Sequence, residues 1–259
     1  MLAPGKVNLC LLVGAPRPDG LHPLVSVVQP TDLADEVTLE PAEEDAVVCP
    51  GVEGDNLAAR ALREFRAATG WDGPPVRITI TKRIPIAAGM AGGSSDAAAT
   101  LKLLAQASQR PIPPELPMRL GADVTVMLHA GRALMTGAGE HVEPLGGDKP
   151  PLVVVPLDAE LSAGAVYAKF DELGLARSPQ ELDAAAHAIR QGRFEPVNDL
   201  EPAARALCPA IDRALDALRR AGVAHPMVSG SGPTVFGVSD DPDAVIRLRE
   251  AGYPRATRA

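Results

Sequence analysis

At 259 residues, with 46% hydrophobic and 22% charged residues, the chain can bury a real core as one large domain or two ordinary ones. A formal charge of -8, with no basic cluster beyond short Arg-Arg pairs, excludes a polyanion-binding surface as the main function, so no nucleic-acid partner is expected. Three scattered cysteines, Cys10, Cys49 and Cys208, offer neither a disulfide framework nor a metal spacing; with no bilayer-length apolar run and no export signal, the expectation is a cytoplasmic protein without membrane contact or protein-held metal.

In chain order, residues 6–13 read as an apolar strand that ends at the turn signal Pro16-Arg17-Pro18-Asp19-Gly20. Residues 24–29 and 36–40 read as two further strands. An amphipathic helix over 56–68 follows, with Asp55 as N-cap and Gly70 as its stop. The alternating run 76–82 predicts a strand, and 96–107 predicts a helix. Prolines between 111 and 117 break the chain before a short helix at 116–120. Residues 132–136 and 141–145, separated by Gly137-Ala138-Gly139, predict a hairpin.

The stretch 146–151 is the best linker candidate, dividing the chain into domains over 1–147 and 150–259. Beyond it come a strand over 152–156 and helices over 163–173, 179–191 and 201–221. Strands at 226–229 and 234–238 and a helix over 242–251 complete the pattern. Interleaved strands and helices in both halves predict a mixed α and β class.

Between the strand at 76–82 and the helix from Asp96 lies Pro85-Ile86-Ala87-Ala88-Gly89-Met90-Ala91-Gly92-Gly93-Ser94-Ser95. A glycine loop opening a helix is a ready phosphate site, because exposed amides and the helix dipole both favour negative oxygens. Glycines 89, 92 and 93 let the backbone approach a ligand. The loop ends in neither Gly-Lys-Ser/Thr nor the dinucleotide fingerprint. Its serines also fit the N-cap of a well-capped helix.

Four weaker signals stand elsewhere. Lys6, in Pro4-Gly5-Lys6-Val7-Asn8-Leu9, could be an edge lysine reaching for solvent. Asp123, in Leu120-Gly121-Ala122-Asp123-Val124, could be a helix cap or turn residue. His22, after the Asp19-Gly20 turn, could be surface decoration. Ser229-Gly230-Ser231-Gly232-Pro233-Thr234 could be a plain strand connection.

Taken in order, these pieces resemble the GHMP family of small-molecule kinases. That family combines an N-terminal Pro-x-Lys strand, a Pro-x-x-x-Gly-x-x-x-Ser-Ser loop and a late Gly-x-Gly loop. Within it, Lys6-Val7-Asn8-Leu9, Asp19-Gly20-Leu21-His22, Gly121-Ala122-Asp123-Val124 and Asn198-Asp199-Leu200-Glu201 resemble the branch acting on a cytidine-diphosphate-linked methylerythritol. Leu21 stands where that branch usually has an aromatic residue. Another GHMP kinase, or a catalytically silent relative using the same cleft, are the alternatives.

The resemblance implies an α+β two-domain fold. Its N-terminal domain would be α/β, ribosomal-protein-S5-domain-2-like, and its C-terminal domain ferredoxin-like. It implies ATP and Mg²⁺ as cofactors, with Asp123 accepting the substrate's hydroxyl proton and Lys6 stabilising the developing charge. Pro85, Ile86, Ala87, Ala88, Gly89, Met90, Ala91, Gly92, Gly93, Ser94 and Ser95 would cradle the ATP phosphates, with Ser94 or Ser95 meeting a phosphate or Mg²⁺. Lys82 would be a further positive contact. Asn8, His22 and Tyr167 would recognise the cytidine end, although Tyr167 equally fits a core position.

Overall fold

Strand β1 (Leu2–Val13) is buried continuously from Lys6 to Cys10, so its side chains are covered on both faces, the polar Lys6 and Asn8 included. It pairs with β2 (Leu24–Pro41), which is one strand of 18 residues rather than the two expected over 24–29 and 36–40. The sequence breaks there at Pro30, which lacks an N–H. Pro30 falls between the ladder to β5 (residues 24–28) and the ladder to β4 (residues 36–41), where neither asks it for a donor. The computed structural model describes all residues from Met1 to Ala259 except Glu53, Asp55, Ala87 and Glu160.

The chain divides into two compact units that interleave along the sequence. The first comprises Met1–Gly5, Leu33–Ile86 and Ala91–Ala130. In it the C-terminal half of β2 pairs antiparallel with β4 (Val76–Thr81), and β3 (Ala46–Val48) adds in parallel. Helix α1 (Leu57–Thr69) packs on α2 (Gly92–Ser108), which in turn meets α4 (Ala122–Met127); α3 (Leu116–Leu120) packs between α1 and α4. The N-cap of α1 is Asn56, whose side chain accepts from the Ala59 amide at 2.9 Å, one residue later than the expected Asp55, itself outside the described residues. Such a cap contributes about 1 kcal/mol.

The second unit comprises Lys6–Asp32, Ala87–Met90 and Gly131–Ala259, so the expected linker at 146–151 lies within it. Here the N-terminal half of β2 pairs with β5 (Ala133–Gly137), which forms the expected hairpin with β6 (His141–Pro144). A second, four-stranded sheet runs in the order β10-β7-β9-β8, built from β7 (Leu152–Val155), β8 (Ala224–Val228), β9 (Val235–Val238) and β10 (Thr257–Arg258). All its pairings are antiparallel. Helices α5 (Ala163–Leu173), α6 (Pro179–Arg190), α7 (Glu201–Leu207), α8 (Ala210–Arg220) and α9 (Ala244–Glu250) complete this α+β unit.

The helix expected over 201–221 is split into α7 and α8. Pro209 disfavours the helical conformation at the residue before it, and Cys208 accordingly sits at φ -136°, ψ 85°. Short elements that lack a full period, β3, α4 and β10, are not expected from the sequence. Each is held by a partner rather than by its own propensity.

Candidate active site

Helix α2 begins at Gly92, four residues before the expected start at Asp96. Glycine is about 1 kcal/mol less favourable than alanine inside a helix, so the sequence places the start too late. The two serines are therefore not caps. Ser94 and Ser95 lie within the first turn, and the N-cap is Ala91, in a left-handed conformation (φ 54°) with no side-chain cap. The first intrahelical bond runs from the Ser95 amide to Ala91 O, so the amides of Gly92, Gly93 and Ser94 precede the ladder. Ser95 is buried and Ser94 half-buried, which leaves the Ser94 hydroxyl as the reachable one.

The loop before this turn is anchored by buried Ala88 and Met90, while Ile86 is 58% exposed and Ala87 lies outside the described residues. Within the second unit, Gly89 (φ 73°) passes so close to the late glycine loop that a Cβ on it would stand 2.4 Å from Gly232 O. Only glycine meets both conditions. At the other end of the segment, the Lys6 amide donates to Met90 O at 3.0 Å, tying the loop to β1.

Gly92 and Gly93 have different surroundings. A Cβ on Gly92 would press on Ile84 Cγ2 at 3.1 Å and Lys82 Nζ at 3.2 Å. A Cβ on Gly93 would meet nothing within 4 Å. Gly92 thus faces protein, and Gly93 faces the open side of the turn.

Lys82, expected as a positive contact for phosphate, is already committed. Its ammonium lies 2.5 Å from Asp35 Oδ2 and 2.8 Å from Asp96 Oδ2. Burial works against its charge, but the hydrogen bonds it donates to Asp35 and Asp96, with their charges, outweigh burial and raise its pKa. Desolvation raises the Asp96 carboxyl to about 6, outweighing the lysine beside it. Two carboxylates share one ammonium here.

In the second unit Lys6 is only 5% exposed, and its ammonium donates to Asn8 Oδ1 at 2.8 Å. Asn8 was expected at the cytidine end. Instead it is buried, its carbonyl taken by Lys6 and its amide donating to Ser26 Oγ at 2.8 Å, while Ser26 donates to Cys10 O. Asn8 therefore orients Lys6. The late glycine loop passes directly over this pair: a Cβ on Gly230 (φ 58°) would stand 3.2 Å from Asn8 Oδ1 and 3.4 Å from Lys6 Nζ.

Asn198 holds that loop in place, its amide donating to Val228 O and Gly230 O at 2.9 and 2.8 Å. Next to it, Asp199 binds Arg177 in a two-point fork and accepts the Val13 amide. The sequence names the segment Asn198-Asp199-Leu200-Glu201 but not its role, since an asparagine that braces a distant carbonyl has no local pattern.

Asp123 lies in the first turn of α4, half-buried, in the first unit. His22 and Tyr167 are brought together in the second unit, with ring centroids 4.8 Å apart. His22 Nε2 is 2.9 Å from Asp171 Oδ1, and its ring meets buried Phe170 edge-on at 6.2 Å. A histidine so held is no loose surface residue, and Tyr167, half-buried on α5, borders solvent as well as core.

The family model for the GHMP kinases N terminal domain matches residues 56–134, and that for the GHMP kinases C terminal matches residues 172–255. A 4-diphosphocytidyl-2-C-methyl-D-erythritol kinase of Kineococcus radiotolerans is 40% identical over 95% of this chain and 83% of its own length. The chain belongs to the GHMP kinases, in the 4-diphosphocytidyl-2-C-methyl-D-erythritol kinase family. The relative of the same name from Streptomyces avermitilis is 39% identical over 96% of this GHMP kinase and 90% of its own length. A crystal structure of a 4-(cytidine 5'-diphospho)-2C-methyl-D-erythritol kinase superposes with a TM-score of 0.81 at 34% identity, covering 100% of this chain and 97% of that one. L. major mevalonate kinase, at 16% identity and a TM-score of 0.70 over 99% of this chain and 94% of that one, shares the fold.

Proposed function

We propose that this GHMP kinase transfers the γ-phosphoryl group of ATP to the 2-hydroxyl of 4-diphosphocytidyl-2-C-methyl-D-erythritol, in the non-mevalonate route to isoprenoid precursors. The observation that carries the phosphate site is the first turn of α2, which no side chain caps and whose Gly93 faces open space. Its amides and helix dipole supply the partial positive charge that phosphate oxygens require. Pro85 to Ser95 form the cradle, with Lys82 supporting it from beneath through Asp35 and Asp96.

Phosphoryl transfer requires in-line positioning and neutralised charge rather than covalent help from the protein. Asp123 takes the proton from the attacking hydroxyl, and Lys6, aimed by Asn8, stabilises the charge that develops. His22 and Tyr167 form the aromatic surface that receives the cytosine, with Asp171 fixing the imidazole. Mg²⁺ takes hard oxygen donors and keeps most of its waters; the half-buried Ser94 hydroxyl in the first turn of α2 would be its ligand from this turn, and the ion would supply positive charge to the polyphosphate. The functional division is 1–147 and 150–259, with one family model in each part. The enzyme acts in the cytoplasm on a small molecule; among the described residues no helix is long and apolar enough to cross a membrane.

The test is ADP release by purified protein with Mg·ATP, with and without 4-diphosphocytidyl-2-C-methyl-D-erythritol. Substrate-dependent release is expected. Release with another small alcohol and none with this one would move the protein to a different GHMP activity.

Gly93→Val separates cradle from fold. A Cβ at Gly93 meets nothing within 4 Å, so the melting temperature is expected to stay near that of the parent. The new side chain occupies the space over the amides, and KM for ATP rises by about 10–100-fold, a misplacement cost of the usual size. Unchanged ATP kinetics would take the phosphates away from this turn. Gly92→Val is the poorer probe, since it strikes Ile84 and Lys82.

A further inference from the structure

The first turn of α2 is an unpromising place to hold a polyphosphate in register. Its N-cap adopts a backbone conformation that alanine disfavours, no side chain caps it, and two of its first three residues are glycine. What fixes it is buried. Asp35, on β2, has a fully covered side chain whose Oδ1 accepts the amides of Arg83 and Ile84 at 2.6 and 2.8 Å. Those bonds shape the chain as it leaves β4. Oδ2 of the same carboxylate takes the Lys82 ammonium, which crosses to Oδ2 of Asp96 on the first turns of α2. The ammonium runs beneath Gly92, close enough that a Cβ there would stand 3.2 Å from it. Oδ1 of Asp96 is buried with no hydrogen-bond partner, so the lysine is what fixes this carboxylate's position.

We propose that Asp35, Lys82 and Asp96 are positioning residues of the ATP site: a buried carboxylate–ammonium–carboxylate clamp that sets the first turn of α2 where its amides meet the phosphates. Electrostatics alone would not place such a group here. Two carboxylates and one ammonium bring no net positive charge to a polyphosphate, so the contribution is geometric. A buried ion pair also has a defined geometry, because a displaced partner leaves an uncompensated charge. The proposal rests on the reading that this turn holds ATP.

The experiment measures KM for ATP, KM for 4-diphosphocytidyl-2-C-methyl-D-erythritol, kcat and melting temperature across four variants. In Asp35→Asn the amide oxygen still accepts from Arg83 and Ile84, but its NH₂ group faces the lysine, donor against donor, and the clamp opens. KM for ATP is expected to rise about tenfold while KM for the other substrate stays within about twofold. If Lys82 were a phosphate ligand, releasing it from Asp35 would lower KM for ATP or leave it alone, and either result overturns the clamp. Should Asp35→Asn fail to fold, Asp96→Asn opens the other arm and is read the same way.

Lys82→Met strands two buried carboxylates and lowers the melting temperature; Lys82→Met/Asp96→Asn removes one stranded charge and restores part of it. The raised KM for ATP persists in the folded double variant. Its return to the parental value alongside stability would leave the clamp a folding device only. A parent protein with no ATP-dependent turnover would sink the kinase reading itself. An active parent whose variants all keep the parental KM for ATP would sink the clamp and spare the kinase.

Discussion

Asp123→Asn lowers kcat by about 10²–10⁴-fold, the range for a lost general base. The substitution keeps the side chain's size and shape, and asparagine is tolerated in the first turn of a short helix such as α4, so folding is preserved. What disappears is an oxygen that can accept a proton while the hydroxyl attacks. KM for ATP should move by no more than about threefold, because a residue that acts on the reacting hydroxyl contributes little to nucleotide binding. The deciding measurement is single-turnover phosphorylation at saturating ATP, which excludes product release from the rate. A variant that phosphorylates at near the parental rate would remove Asp123 from the chemistry and leave it a helix-terminus residue, the bland role its Gly-Ala-Asp setting also permits.

Lys6→Met should cost about 10²–10³ in kcat, the usual loss when one preorganised charge-stabilising donor is removed. Methionine closely matches the lysine stem in volume, so the buried position stays filled. Asn8 Oδ1 loses its 2.8 Å donor, which costs about 1–3 kcal/mol for a buried acceptor left unmade. The two effects are separable. A merely structural lysine would show a lowered melting temperature with normal turnover per folded molecule, and that pattern would refute its catalytic role. Asn8→Asp provides a second view: the charge of Lys6 survives but is neutralised by a partner carboxylate in a dry site, so kcat should fall without loss of fold.

Much of the architecture is legible locally. The strand at Val76–Thr81, the short helix at Leu116–Leu120 and the helix at Ala163–Leu173 fall where alternation, proline and helical period place them. The errors come where a local signal met a tertiary partner. Residues 24–29 and 36–40 read as separate strands, but β2 runs through Pro30 because the strand exchanges one neighbour for another at that point. The glycines at 92 and 93 read as loop, but they are helical because buried Ser95 and Asp96 hold the turn that follows. Lys82 and Asn8 read as ligand contacts from the strength of the motifs around them. Both are instead consumed by buried polar neighbours, 14 and 47 residues away for Lys82 and 2 and 18 residues away for Asn8.

By itself the sequence pointed to the family and to a set of candidate groups: a glycine loop opening a helix, a lysine in the first strand, a carboxylate after Gly-Ala, and a late glycine loop. Such features are legible because chemistry constrains residue type at fixed local spacing. Only the tertiary structure shows which of these groups are buried against polar partners. Hydrogen bonds between residues far apart in the chain leave no periodic trace. The contacts of Asn8 and Asn198 and the proposed Asp35–Lys82–Asp96 clamp rest on burial and distance, which exist only once the chain has folded.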